Sequence, residues 1–169
     1  MANATALSGR SGIQITIDSS QVDAAKLVAT LDKLPINDGV DWTFGTGANQ
    51  VNLLYHATLT AVDDQAAVDI SGSDIQDAYG DNCDFAALKL LYIKNTDATE
   101  DLKLGGGVSA DIGIFDDTSD ILLIPPGGFF LWINPSAAGL DVTTNKNLLI
   151  QAESAHVTYD IVMMGLKTA

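Results

Sequence analysis

The 169-residue chain predicts a mainly β protein: an antiparallel, jelly-roll-like β-sandwich with one short N-terminal helix and a flexible N-terminal arm. Three observations carry that expectation. Apolar and polar residues alternate with period two over long stretches, most clearly in QVNLLYHATLT (50–60) and AHVTYDIVMMG (155–165). Turn-forming clusters such as GTGAN, SGSD, YGDN, PPGG and TTNKN punctuate the chain at short intervals. Of 22 acidic residues only Glu100 and Glu153 are glutamate. The short aspartate carboxylate competes for nearby backbone N–H groups, so it favours turns and caps over helix interiors.

Taken in order, residues 1–11 are small and polar with one charge at Arg10, and read as an arm that orders only when something holds it. Residues 12–169 suit a single sandwich domain of ordinary size. GIQITID (12–18) places Ile13, Ile15 and Ile17 on one face of a strand. The period then changes. Ala24, Leu27, Val28 and Leu31 recur at helical spacing, Ser19 or Ser20 can cap the start and Pro35 lies beyond the end, so a helix is expected over 21–33. In 50–60, Val51, Leu53, Tyr55, Ala57 and Leu59 share one face, opposite Asn52, Leu54, His56, Thr58 and Thr60. In 155–165, Ala155, Val157, Tyr159, Ile161 and Met163 face inward. Further strands are expected at 40–44, 66–70, 85–94, 101–104, 111–115, 121–124, 129–133 and 148–153. Pro126 and Gly127 fit the second and third positions of a type II turn, which makes ILLI and FFLWI two arms of a hairpin. Their poor alternation implies cover on both faces or burial between subunits.

Catalytic and metal signatures are sparse. Cys83 is the single cysteine, which leaves no intrachain disulfide and reads as a buried, inert thiol. His56 and His156 lie on polar strand faces without metal-ligand spacing. No Gly-x-Ser-x-Gly elbow is present, although a triad assembled by the fold leaves no spacing to read. GTGANQ and GGG lack the rest of a phosphate cradle and read as turns. The Asp-rich loops lack the regular spacing of a calcium site. These readings point to a non-enzymatic protein with no cofactor. The formal net charge of −14, with no Lys or Arg over 34–88, repels a phosphate backbone and argues against nucleic acid as partner. No apolar run approaches a membrane span, and the N-terminus lacks the apolar core of a secretory signal, so a soluble protein without a membrane partner is expected.

The order VNLLYHATLTAVDDQAAVDISGSDIQDAYGDNCDFAALKLLYIKNTD, DLKLGGG, ILLIPPGGFFLW and LLIQAESAHVTYDIVMMG resembles small virion structural proteins of tailed bacteriophages. The shared features are the Asp69–Gly72 turn, the Asp77-Ala78-Tyr79-Gly80 element, a strand ending in Asn95, a glycine-rich turn, Pro126-Gly127-Gly128 and a last strand through Tyr159 to Gly165. The resemblance covers about 51–165. It implies a jelly-roll-like protein made in the host cytoplasm and carried on the virion, as a decoration or capsid-stabilising subunit, commonly a homotrimer, bridging copies of the major capsid protein. The residues expected at such an interface are Ala2, Asn3, Ala4, Thr5, Leu7 and Arg10 of the arm, and Leu122, Phe130 and Trp132 of the apolar segment. The competing expectation is a tail or head-fibre module that binds a host carbohydrate or protein through Trp42, Tyr55 or Trp132, unless those aromatics serve the core.

Overall fold

The computed structural model describes residues 8–15, 19–22, 28–31, 36–64, 66–72, 74–76, 80–105, 111–115 and 119–168, and no helix occurs among them. The strands are β1 (Ser8–Ile15), β2 (Ser19–Val22), β3 (Val28–Leu31), β4 (Ile36–Phe44), β5 (Gln50–Val51), β6 (Leu53–Val62), β7 (Val68–Asp69) and β8 (Phe85–Asn95). They continue with β9 (Leu102–Leu104), β10 (Leu122–Ile124), β11 (Phe129–Ile133), β12 (Leu140–Asp141), β13 (Asn147–Leu148), β14 (Ile150–Ala152) and β15 (His156–Lys167).

The principal sheet runs β11-β8-β15-β6, with β12 also on β8. A second sheet runs β10-β9-β14, and β13 pairs with β7 immediately before β14. All of these pairs are antiparallel, and four of them are nested in sequence: β9 with β10, β8 with β11, β7 with β13, and β6 with β15. Among the described residues from Leu53 to Lys167 these four pairs therefore form a nested two-stranded ribbon. The β8–β15 and β9–β14 pairs then stitch that ribbon sideways into sheets.

Alternation decides which face each strand buries. Val157, Tyr159, Ile161 and Met163 of β15 join Tyr55 and Ala61 of β6 and Leu91 and Ile93 of β8 in one core, with Leu102, Leu104, Ile124 and Ile150 from the second sheet. Each large aliphatic side chain removed from water there contributes about 1.5–3 kcal/mol before chain entropy is counted. Leu54, His56, Thr58 and Thr60 are exposed, as the period-two reading expects, whereas Ala155 falls in a turn. Cys83 is buried. The β8–β15 ladder shifts register at Met164/Gly165, where a Cβ on Gly165 would meet the Ala87 carbonyl oxygen at 2.0 Å. Only glycine admits that approach.

A separate sheet is formed by β1-β4-β5. β1 pairs antiparallel with β4 from Ser8↔Thr43 to Ile15↔Ile36, and β4 joins β5 in parallel over two residue pairs. Trp42 is buried, and its indole N–H donates to Ser11 Oγ at 2.7 Å.

Four expectations are corrected. Gln21–Val22 and Val28–Leu31, placed in a helix by the sequence, lie in the antiparallel β2–β3 pair, with 23–27 and 32–33 outside the described residues. The helical period there lasts barely two turns, too short to stabilise itself, and Val22, Val28 and Thr30 are β-branched residues that favour extended backbone. The arm was expected over 1–11, yet Ser8–Ser11 are the first half of β1. Residues 111–115 form only a parallel bridge, Asp111↔Asn147, followed by a turn at Gly113. ILLI and FFLWI are not paired with each other: β10 belongs to β9 and β11 to β8, so PPGG carries the chain from one sheet to the other.

Candidate functional site: an uncharged flank

The turn between the two sheets is held from below by Asn95, which is fully buried at the end of β8. Its side-chain amide donates to the Glu100 and Ile124 carbonyls at 2.8 and 2.9 Å, and its Oδ1 accepts from the Asp97 N–H. Its main-chain N–H donates to Gly128 O and its carbonyl accepts from Gly127 N–H. Above it the Gly128 N–H donates to Pro125 O at 2.8 Å and Gly127 has φ 73°, the geometry of a type II turn with glycine at the third position. That part of the expectation holds. Asp97 closes the adjacent loop by accepting from the Thr99 and Glu100 N–H groups, which hold its carboxyl below the ordinary range.

With the turn fixed, β10 and β11 lie at the open edges of their sheets, and no strand among the described residues pairs with either outer side. Within β11 the side chains do alternate. Phe130 and Trp132 pack against the core, while Phe129 and Leu131 face the other way, onto a groove of about 500 Å³ under Gly9–Ile13 of β1. Tyr92 lines the same groove, its ring 5.9 Å from that of Phe129. In β10, Ile124 is buried, Leu122 is 36 % exposed and Leu123 is 49 % exposed; Ile121 and Phe129 exceed half.

The backbone alternates too. Because Gly128 and Asn134 hydrogen-bond across to β8, Phe130 and Trp132 between them share that phase. Phe129, Leu131 and Ile133 therefore turn their N–H and C=O groups toward the open edge.

Charge marks the same flank. From Ile121 to Leu140 the sequence holds no Asp, Glu, Lys or Arg, although the chain carries −14 overall. Elsewhere Lys103 pairs with Glu153, Lys146 with Asp69 and Arg10 with Asp41, so much of the cationic surface is already matched. Lys89 is fully buried, its ammonium donating to the Gly47 and Gln50 carbonyls at 2.8 Å each; burial lowers its pKa.

Of the residues expected at an interface, Leu122 lies on this flank, and Phe130 and Trp132 face the core from its edge strand. Arg10 is exposed on β1, whereas Ala2, Asn3, Ala4, Thr5 and Leu7 lie outside the described residues. Phe129, Leu131 and Ile133 were missed, and the signal that could have found them is the twenty-residue run without charge. Trp42 and Tyr55 are buried. His56 and His156 sit opposite Val162 and Val62, six residues apart along the β6–β15 ladder and so roughly 20 Å from each other. Among the described residues no three His, Cys, Asp or Glu side chains gather as a metal site requires. Burial pushes the Tyr159 hydroxyl up to about 12, which suits a core residue. Comparison with known proteins finds no matching family model, no matching curated protein and no matching solved structure.

Proposed function

We propose that the chain is a non-enzymatic bacteriophage virion protein that decorates the capsid exterior and stabilises the shell by bridging major capsid protein subunits. The single observation that carries this reading is the flank at 121–140: apolar, uncharged and partly exposed, on a chain of charge −14. Large exposed apolar side chains on an otherwise highly charged surface mark a protein contact. The acidic remainder keeps free subunits soluble and away from packaged nucleic acid.

The nested strand pairs support a finer reading of the fold. Taking β13 and β14 as one interrupted strand, the doubled ribbon gives two facing four-stranded sheets, β6-β15-β8-β11 and β7-β13/β14-β9-β10, the connectivity of a jelly roll. That architecture fits the virion resemblance of 51–165. A subunit that binds the assembled shell and not its free components shifts the equilibrium toward the shell by mass action, and a lattice of sites multiplies weak contacts. A glycan-binding reading would need an exposed aromatic platform at Trp42, Tyr55 or Trp132, but Trp42 and Tyr55 are buried and the half-buried Trp132 packs against the core.

The test uses purified capsids that lack the protein. The wild-type chain should co-sediment with them to saturation and raise their disruption temperature, and Leu123→Asp, which sets a carboxylate on the exposed flank, should weaken attachment at least tenfold. Absence of co-sedimentation, or attachment indifferent to Leu123→Asp, would overturn the reading.

A further inference from the structure

We propose that β11 is a self-pairing edge: a second copy of this chain adds its own β11 antiparallel to the first, about a two-fold axis through Leu131. The backbone phase makes the strand complementary to itself. Phe129, Leu131 and Ile133 all point their N–H and C=O groups outward, and they are spaced symmetrically about Leu131. Antiparallel addition sets Phe129 opposite Ile133 of the partner subunit, Leu131 opposite its own counterpart, and Ile133 opposite the partner's Phe129. Each such pair exchanges two main-chain bonds, about six in all.

Charge selects the occupant. Two chains of −14 repel wherever carboxylates meet, and 121–140 is a surface on which they can approach without that juxtaposition. A partner chosen by opposite charge would find nothing there to recognise. The edge also lacks the usual guards, since no Lys, Pro or inward charge interrupts Phe129–Ile133. The other edge strand of the principal sheet, β6, turns His56, Thr58 and Thr60 to solvent instead. The exposed Ile121, Leu122 and Leu123, at β10 of the other sheet, take no part in this pairing. The assembly is a two-fold dimer, in place of the three-fold grouping that the virion resemblance implies, and it stands apart from the capsid reading because it needs no capsid.

Sedimentation of the full-length chain over a micromolar concentration series is the test. A monomer–dimer equilibrium is expected, shifted at least tenfold toward monomer by Leu131→Lys, which opposes two like charges at the axis, and unchanged by Leu54→Lys on β6. Oxidation of Leu131→Cys should give a covalent dimer, because hydrogen-bonded antiparallel pairs hold their Cα atoms about 5.5 Å apart, within disulfide reach. Thr58→Cys should not cross-link. If Leu131→Lys loses its circular dichroism, the cysteine pair decides alone. A monomer throughout, a trimer, or a dimer that neither responds to Leu131→Lys nor cross-links through Leu131→Cys overturns the proposal. Capsid attachment is not read in this experiment, so either idea can fail without the other.

Discussion

Asn95 and Lys89 are fully buried polar side chains in an apolar strand, and each is buried because it completes the backbone of a neighbouring loop. Asn95→Ala removes two donated bonds and one accepted bond and strands the Glu100 and Ile124 carbonyls. A loss of about 3 kcal/mol in urea unfolding is expected, and a loss below about 1 kcal/mol would show the amide to be replaceable by water. Lys89→Met strands the Gly47 and Gln50 carbonyls, so stability should fall by about 1–3 kcal/mol at neutral pH. Amide exchange near Gln50 should quicken while β15 is unchanged. The pH dependence has a definite sign. Burial lowers the folded-state pKa of Lys89 below 10.5, so the folded chain releases this proton before the unfolded chain does, and stability rises with pH between the two values. The neutral amine keeps two N–H donors for two carbonyls, so deprotonation does not break the clamp. The stability gap between wild type and Lys89→Met should therefore widen as pH rises toward about 10. A gap that narrows would mean that the charge itself holds the loop. Neither role is legible in FAALKLLYIKN, where a lone Lys or Asn looks like any polar-face residue; what fixes them is a loop contributed from about forty residues away for Lys89, and local backbone plus the β10 carbonyl for Asn95.

At the scale of elements, strand existence was readable wherever one face meets solvent, because β6 and β15 each present a polar face that fixes the period. Partnership was not. The turn signal at PPGG is the same whether it joins paired strands or crosses between sheets, and only the β8 and β9 ladders decide it. The β2–β3 pair failed for another reason, since two turns of helical spacing also fit short extended segments. Two glycines test the assignments. Gly127 has φ 73° and open space around its missing Cβ, so Gly127→Ala should cost only the left-handed backbone penalty, about 1 kcal/mol, and Gly127→Asn less. Gly165 has no such backbone demand, but a methyl there would lie 2.0 Å from a carbonyl oxygen of β8. Gly165→Ala should therefore cost about 3 kcal/mol or more by forcing the β8–β15 ladder apart. Comparable losses from the two substitutions, measured by urea unfolding, would contradict the register shift at Met164/Gly165.

For the whole molecule, charge and fold divide the surface into an acidic body and one neutral flank, which sets how self-association responds to salt. The −14 charge and its gap at 121–140 are both plain in the sequence, but only the ladder order shows that the gap coincides with two open strand edges. Self-pairing through β11 is opposed by repulsion between two acidic bodies whose carboxylates lie beyond the contact. The Debye length falls from about 10 Å at 0.1 M salt to about 3 Å at 1 M, so that repulsion is largely screened at the higher value while apolar and main-chain terms persist. Dimerisation should therefore tighten with sodium chloride, by roughly tenfold or 1.4 kcal/mol over this range. Lowering the pH toward the isoelectric point near 4.1 should act in the same direction by removing the charge itself. Sedimentation of the free chain across one sodium chloride series checks the sign. A dimer that loosens as salt rises would mean that charged groups outside 121–140 make the contact, and the neutral flank would then lose its claim to it.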